Sequence, residues 1–165
     1  ETTDSEVTVQ MMPLAKLEFT PNWDRSVEFA MSSDVCLGRI LESRVGENGI
    51  GANAKFAYKV MLEAECAINI LDFSGVVHIN TGAWGVFNLL MRALNDKARY
   101  FRICNLTHEP LAGFRDYKFD AVFPAYNTIE DAIRGERVLN PKAEERQVRI
   151  IAQLPDVGSM ENSGG

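Results

Sequence analysis

The sequence predicts an α/β fold, a sheet flanked by helices, and three observations carry that expectation. Through the middle of the chain, short apolar runs with β-branched residues alternate with segments of helical spacing. The stretch His78-Ile79-Asn80-Thr81-Gly82-Ala83-Trp84-Gly85 breaks an apolar run from a helical one, as a strand-to-helix turn does. No internal repeat disturbs this order, which reads β-α-β-α-β-α-β-α and implies right-handed crossovers.

Residues 7–19 and 26–31 alternate in polarity (Val7, Val9; Leu17, Phe19; Val27, Phe29, Met31). This predicts short strands around a turn at Pro21-Asn22-Trp23-Asp24. Val35 to Val45 suits a further strand, and its Leu37, Ile40 and Leu41 suit a helix as well. Gly46, Gly49 and Gly51 mark a loop, without the spacing of either nucleotide-binding glycine motif. From Ala52 to Cys66 the pattern is helical, with Phe56, Ala57, Val60, Met61 and Ala64 on one face. The run AINILDFSGVV then predicts a buried strand. Beyond the polar turn, Phe87, Leu90, Met91 and Leu94 have helical spacing, and YFRICNL (100–106) reads as a strand. Pro110 suits the first turn of a short helix carrying Leu111 and Phe114. AVFPAY (121–126) predicts a strand, and Thr128 with Asp131 resembles a capping box opening a helix at Ile129–Arg134.

Composition narrows the function classes. The chain has 165 residues, 46% hydrophobic and 24% charged, enough for one domain with extensions. A net charge of −6 and the lack of a basic run argue against a nucleic-acid surface. No leader-like apolar segment and no run long enough to span a bilayer is visible. Asn105-Leu106-Thr107 has the form of a glycosylation acceptor, which is silent without secretion. Cys36, Cys66 and Cys104 lie in apolar segments and read as small buried hydrophobes of a reducing, cytoplasmic compartment. The sequence opens on Glu1 and is expected to be part of something longer.

Candidates for catalysis are few. The two histidines, His78 and His108, form no metal-binding spacing, and there is no nucleophile elbow. Cys104 with His108 is imaginable as nucleophile and base, against a core cysteine and a surface histidine. Asp72 lacks a second converging acid. No cofactor or metal is expected, and an enzyme or ligand-binding domain would need a deep polar pocket near Asp72, His78 and Thr81.

Residues 68–134, INILDFSGVVHINTGAWGVFNLL…YFRICNL…LAGFRDYKFDAVFPAYNTIEDAI, resemble the STAS domain of bacterial anti-sigma-factor antagonists and stressosome proteins. Members of that family carry an apolar strand ending in Asp and, eight residues on, an Asp-Ser-Ser-Gly or Asp-Thr-x-Gly turn that opens a helix. Asp72 matches the first Asp, Asn80-Thr81-Gly82-Ala83 the turn, Gly85 a frequent downstream glycine, and Asn127–Ala132 the start of the closing helix. The resemblance implies a STAS-like mixed β-sheet flanked by α-helices, with extra N-terminal strands. Residues 46–135 would form the domain, 1–45 an extension adding strands, and 136–165 a partly disordered C-terminal extension with an apolar patch at 148–154.

The resemblance also implies a non-enzymatic, protein-binding signalling module. On this alignment Thr81 is the hydroxyl that a partner kinase phosphorylates. Its partners would be an anti-sigma-like kinase or stressosome-like subunits, with a homo-oligomer as a further form. Two departures stand out: Asn80 replaces the usual acid, and Ala83 the usual glycine. Thr81 thus reads either as a regulated acceptor or as the helix N-cap, two roles that are compatible. Thr81, Trp84, Asn88 and Arg92 repeat at helical intervals, so Asp72, Asn80, Gly82, Trp84, Asn88 and Arg92 are the candidate partner-binding residues. Trp84 is either an exposed hot spot or a ring packed beneath the N-terminal extension. A scaffold in an oligomeric or transport complex, without phosphorylation, is the alternative function.

Overall fold

The computed structural model describes residues 18–20, 27–46 and 52–154. The chain runs β1 (Glu18–Thr20), β2 (Val27–Met31), β3 (Val35–Ile40), β4 (Arg44–Val45) and α1 (Ala52–Ala64). It continues through β5 (Ile68–Asp72), β6 (His78–Ile79), α2 (Thr81–Asn95), β7 (Tyr100–Cys104) and α3 (His108–Asp116). After a 3-10 turn at Phe119–Ala121 come β8 (Ala125–Tyr126), α4 (Ile129–Arg134) and α5 (Pro141–Ala152). The predicted strand residues 7–17, the turn at 21–24, Gly49, Gly51 and residues 155–165 of the C-terminal extension lie outside the described residues.

Among the described residues the main sheet has the order β1-β2-β3-β5-β7-β8, and β4 pairs with β6 in a separate two-stranded ladder. β3, β5, β7 and β8 are parallel neighbours, while β2 pairs antiparallel with β3 and β1 antiparallel with β2, so the sheet is mixed as expected. The parallel strands advance in one direction, so right-handed crossovers place α1, α2 and α3 on the same face. The large core on that face confirms it, joining Met61, Phe87, Leu90 and Phe114 to Leu71, Phe101 and Ile103. A smaller core on the opposite face joins Ala132 and Ile133 of α4 to Leu37, Ile70 and Tyr126.

Covered on both sides, β5 is buried at every position. The segment from Val35, open to two readings in sequence, is a strand through Ile40 for the same reason. Val35 and Leu37 enter the small core while Cys36 and Ile40 enter the large one, a two-residue alternation that a helix cannot give. Phe29 faces Gly38 across the β2–β3 ladder, where a Cβ would lie 2.9 Å from its ring, so glycine makes room for the aromatic.

Two local readings change. AVFPAY forms ladder pairs only at Ala125 and Tyr126; its apolar character comes from burial, with Phe123 in the large core. The charged segment after Glu136 contains α5, an element absent from the sequence reading. Pro141 at its first turn and the buried Ala143 and Gln147 mark it. Just before it, the Asn140 side chain accepts from Ala125 N–H at 2.9 Å and donates to the carbonyls of Asp120 and Phe123, both at 2.7 Å. This holds the entry to β8.

α4 is capped at both ends. The Thr128 hydroxyl accepts from Asp131 N–H at 3.0 Å, as the capping-box spacing predicts. At its far end the buried Arg102 guanidinium donates to the Ala132 and Ile133 carbonyls at 2.7 and 3.3 Å, and the chain leaves through Gly135 at φ 68°. A Cβ on Gly135 would lie 2.9 Å from Arg102 Nη2. Gly135→Ala is therefore expected to destabilise the fold by about 2 kcal/mol, from left-handed strain and displacement of the guanidinium. Gly85→Ala, in open space on α2, is the control and should gain up to about 1 kcal/mol. Urea unfolding midpoints read both.

Candidate functional site

The strand-to-helix turn is held from below by the small β4–β6 ladder. Val77 and His78 donate their N–H groups to Ser43 O at 2.7 and 3.2 Å, and Asn80 donates to Val45 O at 3.1 Å. With its backbone extended, Asn80 is the N-cap of α2, and its Oδ1 accepts from Gly82 N–H at 2.6 Å. Asparagine caps about as well as aspartate, so the local structure survives and only the charge is lost. Thr81 is the first helical residue and is exposed. Of the two sequence readings, the cap belongs to Asn80, and the Thr81 hydroxyl is spared that duty. Ala83 is fully buried, while Gly82 beside Thr81 is exposed.

The candidate partner stripe divides. Trp84, expected as an exposed hot spot or beneath the N-terminal extension, is 1% exposed within a cluster of phenylalanines. Its ring stacks on Phe119 at 4.9 Å and lies near Phe123, Phe114 and Phe87 at 5.5, 5.7 and 5.9 Å. The physical reason is helix phase, since Trp84 falls at heptad spacing with Phe87, Met91 and Leu94, all buried. The outward face instead carries Gly82, Gly85, Leu89 and Arg92, with Asn88 half-buried.

Asp72 is a second correction, because it is 2% exposed and presents no partner surface. Its carboxylate accepts from Asn105 Nδ2 at 2.8 Å, Ser74 N–H at 3.1 Å and Ser74 Oγ at 3.2 Å, and Arg39 Nε lies 3.5 Å away. It joins the ends of β3, β5 and β7. Beside it, burial first and the Asp72 charge second push the Cys104 thiol far above its usual range. Cys104 is fully buried with its Sγ 3.9 Å from Asp72 Oδ1, which fits the core cysteine of the sequence reading and not a nucleophile paired with His108.

A groove of about 550 Å³ runs between the start of α2 and α3, lined by Thr81 and His78 on one side and Glu109, Asp116 and Tyr117 on the other. Across it His78 Nδ1 lies 3.0 Å from Glu109 Oε2. His78 and Thr81 thus share one cavity, but Asp72 is not among the described residues that line it. The contribution of α3 was not legible, because its distance in sequence from Thr81 hides which of its residues return to the turn. Among the described residues no group of three metal-ligating side chains converges, and no helix is long and apolar enough to cross a membrane.

Comparison with known proteins agrees with this fold. A match to the STAS domain as a family covers residues 39–132, more than half of the chain. An anti-sigma factor antagonist from Mycobacterium paratuberculosis is similar in structure, with a TM-score of 0.58, 16% identity, and coverage of 67% of this chain and 92% of that one. The anti-sigma factor antagonist SpoIIAA in its unphosphorylated form is similar with a TM-score of 0.51, 14% identity, and coverage of 66% and 98%. None of the curated proteins matches the chain.

Proposed function

The chain belongs to the STAS domain family, and from that premise we propose that it is a protein-binding regulatory module switched by a phosphate on Thr81. The observation that carries this reading is the exposed Thr81 hydroxyl at the start of a 15-residue helix, relieved of capping by Asn80 and opening on a groove. The helix dipole favours negative charge at that end. A phosphate would bring about −1.5 to −2 charges to a groove that already holds Glu109 and Asp116. An acidic or closely packed apolar partner surface would then be expelled. The donor would be an anti-sigma-like kinase, which is also the binding partner, in a bacterial cytoplasm.

Thr81→Glu is expected to weaken binding to such a kinase by about tenfold or more, through like-charge repulsion at the interface. Thr81→Ala should leave binding near that of the parent. Isothermal titration against candidate partners checks both, and intact-mass measurement of cell-derived protein checks for the phosphate. Undiminished binding by Thr81→Glu to every candidate defeats the switch. The neutral Asn80, where relatives carry an acid, favours a second reading as a non-phosphorylated scaffold in an oligomeric or transport complex. That reading expects no phosphate on Thr81 and assembly that survives Thr81→Glu.

A further inference from the structure

We propose that His78 couples the modification state of Thr81 to the position of α3, by exchanging Glu109 for the phosphate as its ionic partner. This rests on the reading of Thr81 as a phosphate acceptor and adds how the groove itself would respond. His78 precedes Thr81 by three residues, and its backbone is fixed by pairing with Arg44 in β4, independently of α3. Its side chain, 33% exposed, is the movable part and reaches across to Glu109 in the first turn of α3.

That turn is poorly secured. Thr107 stands at the N-cap without a side-chain hydrogen bond, and His108 begins the helix at φ 53°, in the left-handed region. The His78–Glu109 hydrogen bond from the opposite wall, an ion pair when the imidazole is protonated, therefore matters more here than at a well-capped helix.

Among the described residues the titratable groups lining the groove are His78, Glu109, Asp116 and Tyr117, and Arg44 stands beside His78 in the β4–β6 ladder. In the unmodified protein one imidazole stands against two carboxylates. A phosphate on Thr81 adds a dianion with three acceptor oxygens, and the imidazolium goes to the denser charge. Glu109 is then repelled by the phosphate and deprived of its partner. The first turn of α3 is released, and the groove changes shape as well as charge. Tyr117, 60% exposed beyond the end of α3, moves with that wall.

The test installs phosphothreonine at position 81 during translation, so that no kinase is needed. Hydrogen exchange of the α3 backbone is compared in the parent, the phosphorylated protein, Glu109→Gln and His78→Gln, together with phosphorus NMR titration. Phosphorylation and Glu109→Gln should each raise exchange at Leu111, Ala112 and Gly113, whose amides bond to the carbonyls of the first turn of α3, by about two- to fivefold, the range of a partly exposed ion pair. Combined, they should raise it no further. The second phosphate ionisation, ordinarily at about 6, should be lowered by His78 and restored by His78→Gln. Exchange in α3 unchanged by phosphorylation, or a phosphate titration indifferent to His78→Gln, overturns the proposal. Absence of phosphate from cell-derived protein would instead defeat the acceptor reading while leaving the measured coupling intact.

Discussion

Replacing Trp84 with alanine is expected to cost about 3–5 kcal/mol of folding stability, the range for deleting a buried aromatic side chain. The ring is 1% exposed and sits where five pieces of the chain meet. Phe87 comes from its own helix, Phe114 from α3, Phe119 from the 3-10 turn and Phe123 from the approach to β8. Phe73, stacked at 6.3 Å, closes the cluster from the end of β5. No neighbour can fill the space without leaving its own contacts, so the cavity stays open or the α3 wall collapses into it. Trp84→Phe keeps an aromatic and should lose about half as much. Urea unfolding followed by circular dichroism measures both; a loss under about 1 kcal/mol for the alanine variant would contradict the burial. The result also bears on binding assays, since weakened assembly of Trp84→Ala would report a damaged groove and not a lost interface contact.

The same residue shows what sequence could and could not disclose. The spacing of Phe87, Leu90, Met91 and Leu94 located α2, and the polar break located its start. Two stripes competed for Trp84, however. Thr81, Trp84, Asn88 and Arg92 form one, while Trp84, Phe87, Met91 and Leu94 form the other. The second is the buried one. The capping residues Thr128 and Asp131 were legible because a cap is local chemistry. The hydrogen-bond network of Asp72 was not, since Asn105 and Arg39 come from other strands and depend on register. The groove opposite Thr81 was hidden for a similar reason, being made by a helix that returns from more than two dozen residues away in the chain. The segment after Glu136 read as charged with an apolar patch at 148–154, while the side chain that docks it, polar and outside that patch, gave no signal.

That side chain is Gln147, and Gln147→Ala is expected to cost about 3 kcal/mol, two or more buried groups being left unpaired at about 1–3 kcal/mol each. β8 pairs with β7 only at Ile103 and Cys104, which leaves the outward edge of β7 at Phe101 without a strand. Gln147 takes its place. Its Oε1 accepts from Phe101 N–H at 2.8 Å, and its Nε2 donates to Phe101 O at 3.1 Å. Oε1 also accepts from Asn95 Nδ2 at 2.8 Å, which ties in the end of α2. The side chain is 1% exposed, so water cannot readily replace these bonds. The melting temperature should fall by roughly 6–12 °C on that basis. Val148→Ala, one residue on and exposed, should change stability by less than about 0.5 kcal/mol. Gln147→Leu separates bonding from volume, because it fills similar space with no polar atom and should still lose about as much as alanine. If leucine is tolerated as well as glutamine, the amide is only filling space. Gln147→Glu adds a check of sign: the ionised acid cannot donate to Phe101 O, so its folded pKa is raised and the variant loses stability as pH climbs through the carboxyl range. A helix lying beyond the family match, between residues 141 and 152, thus completes a sheet edge within it.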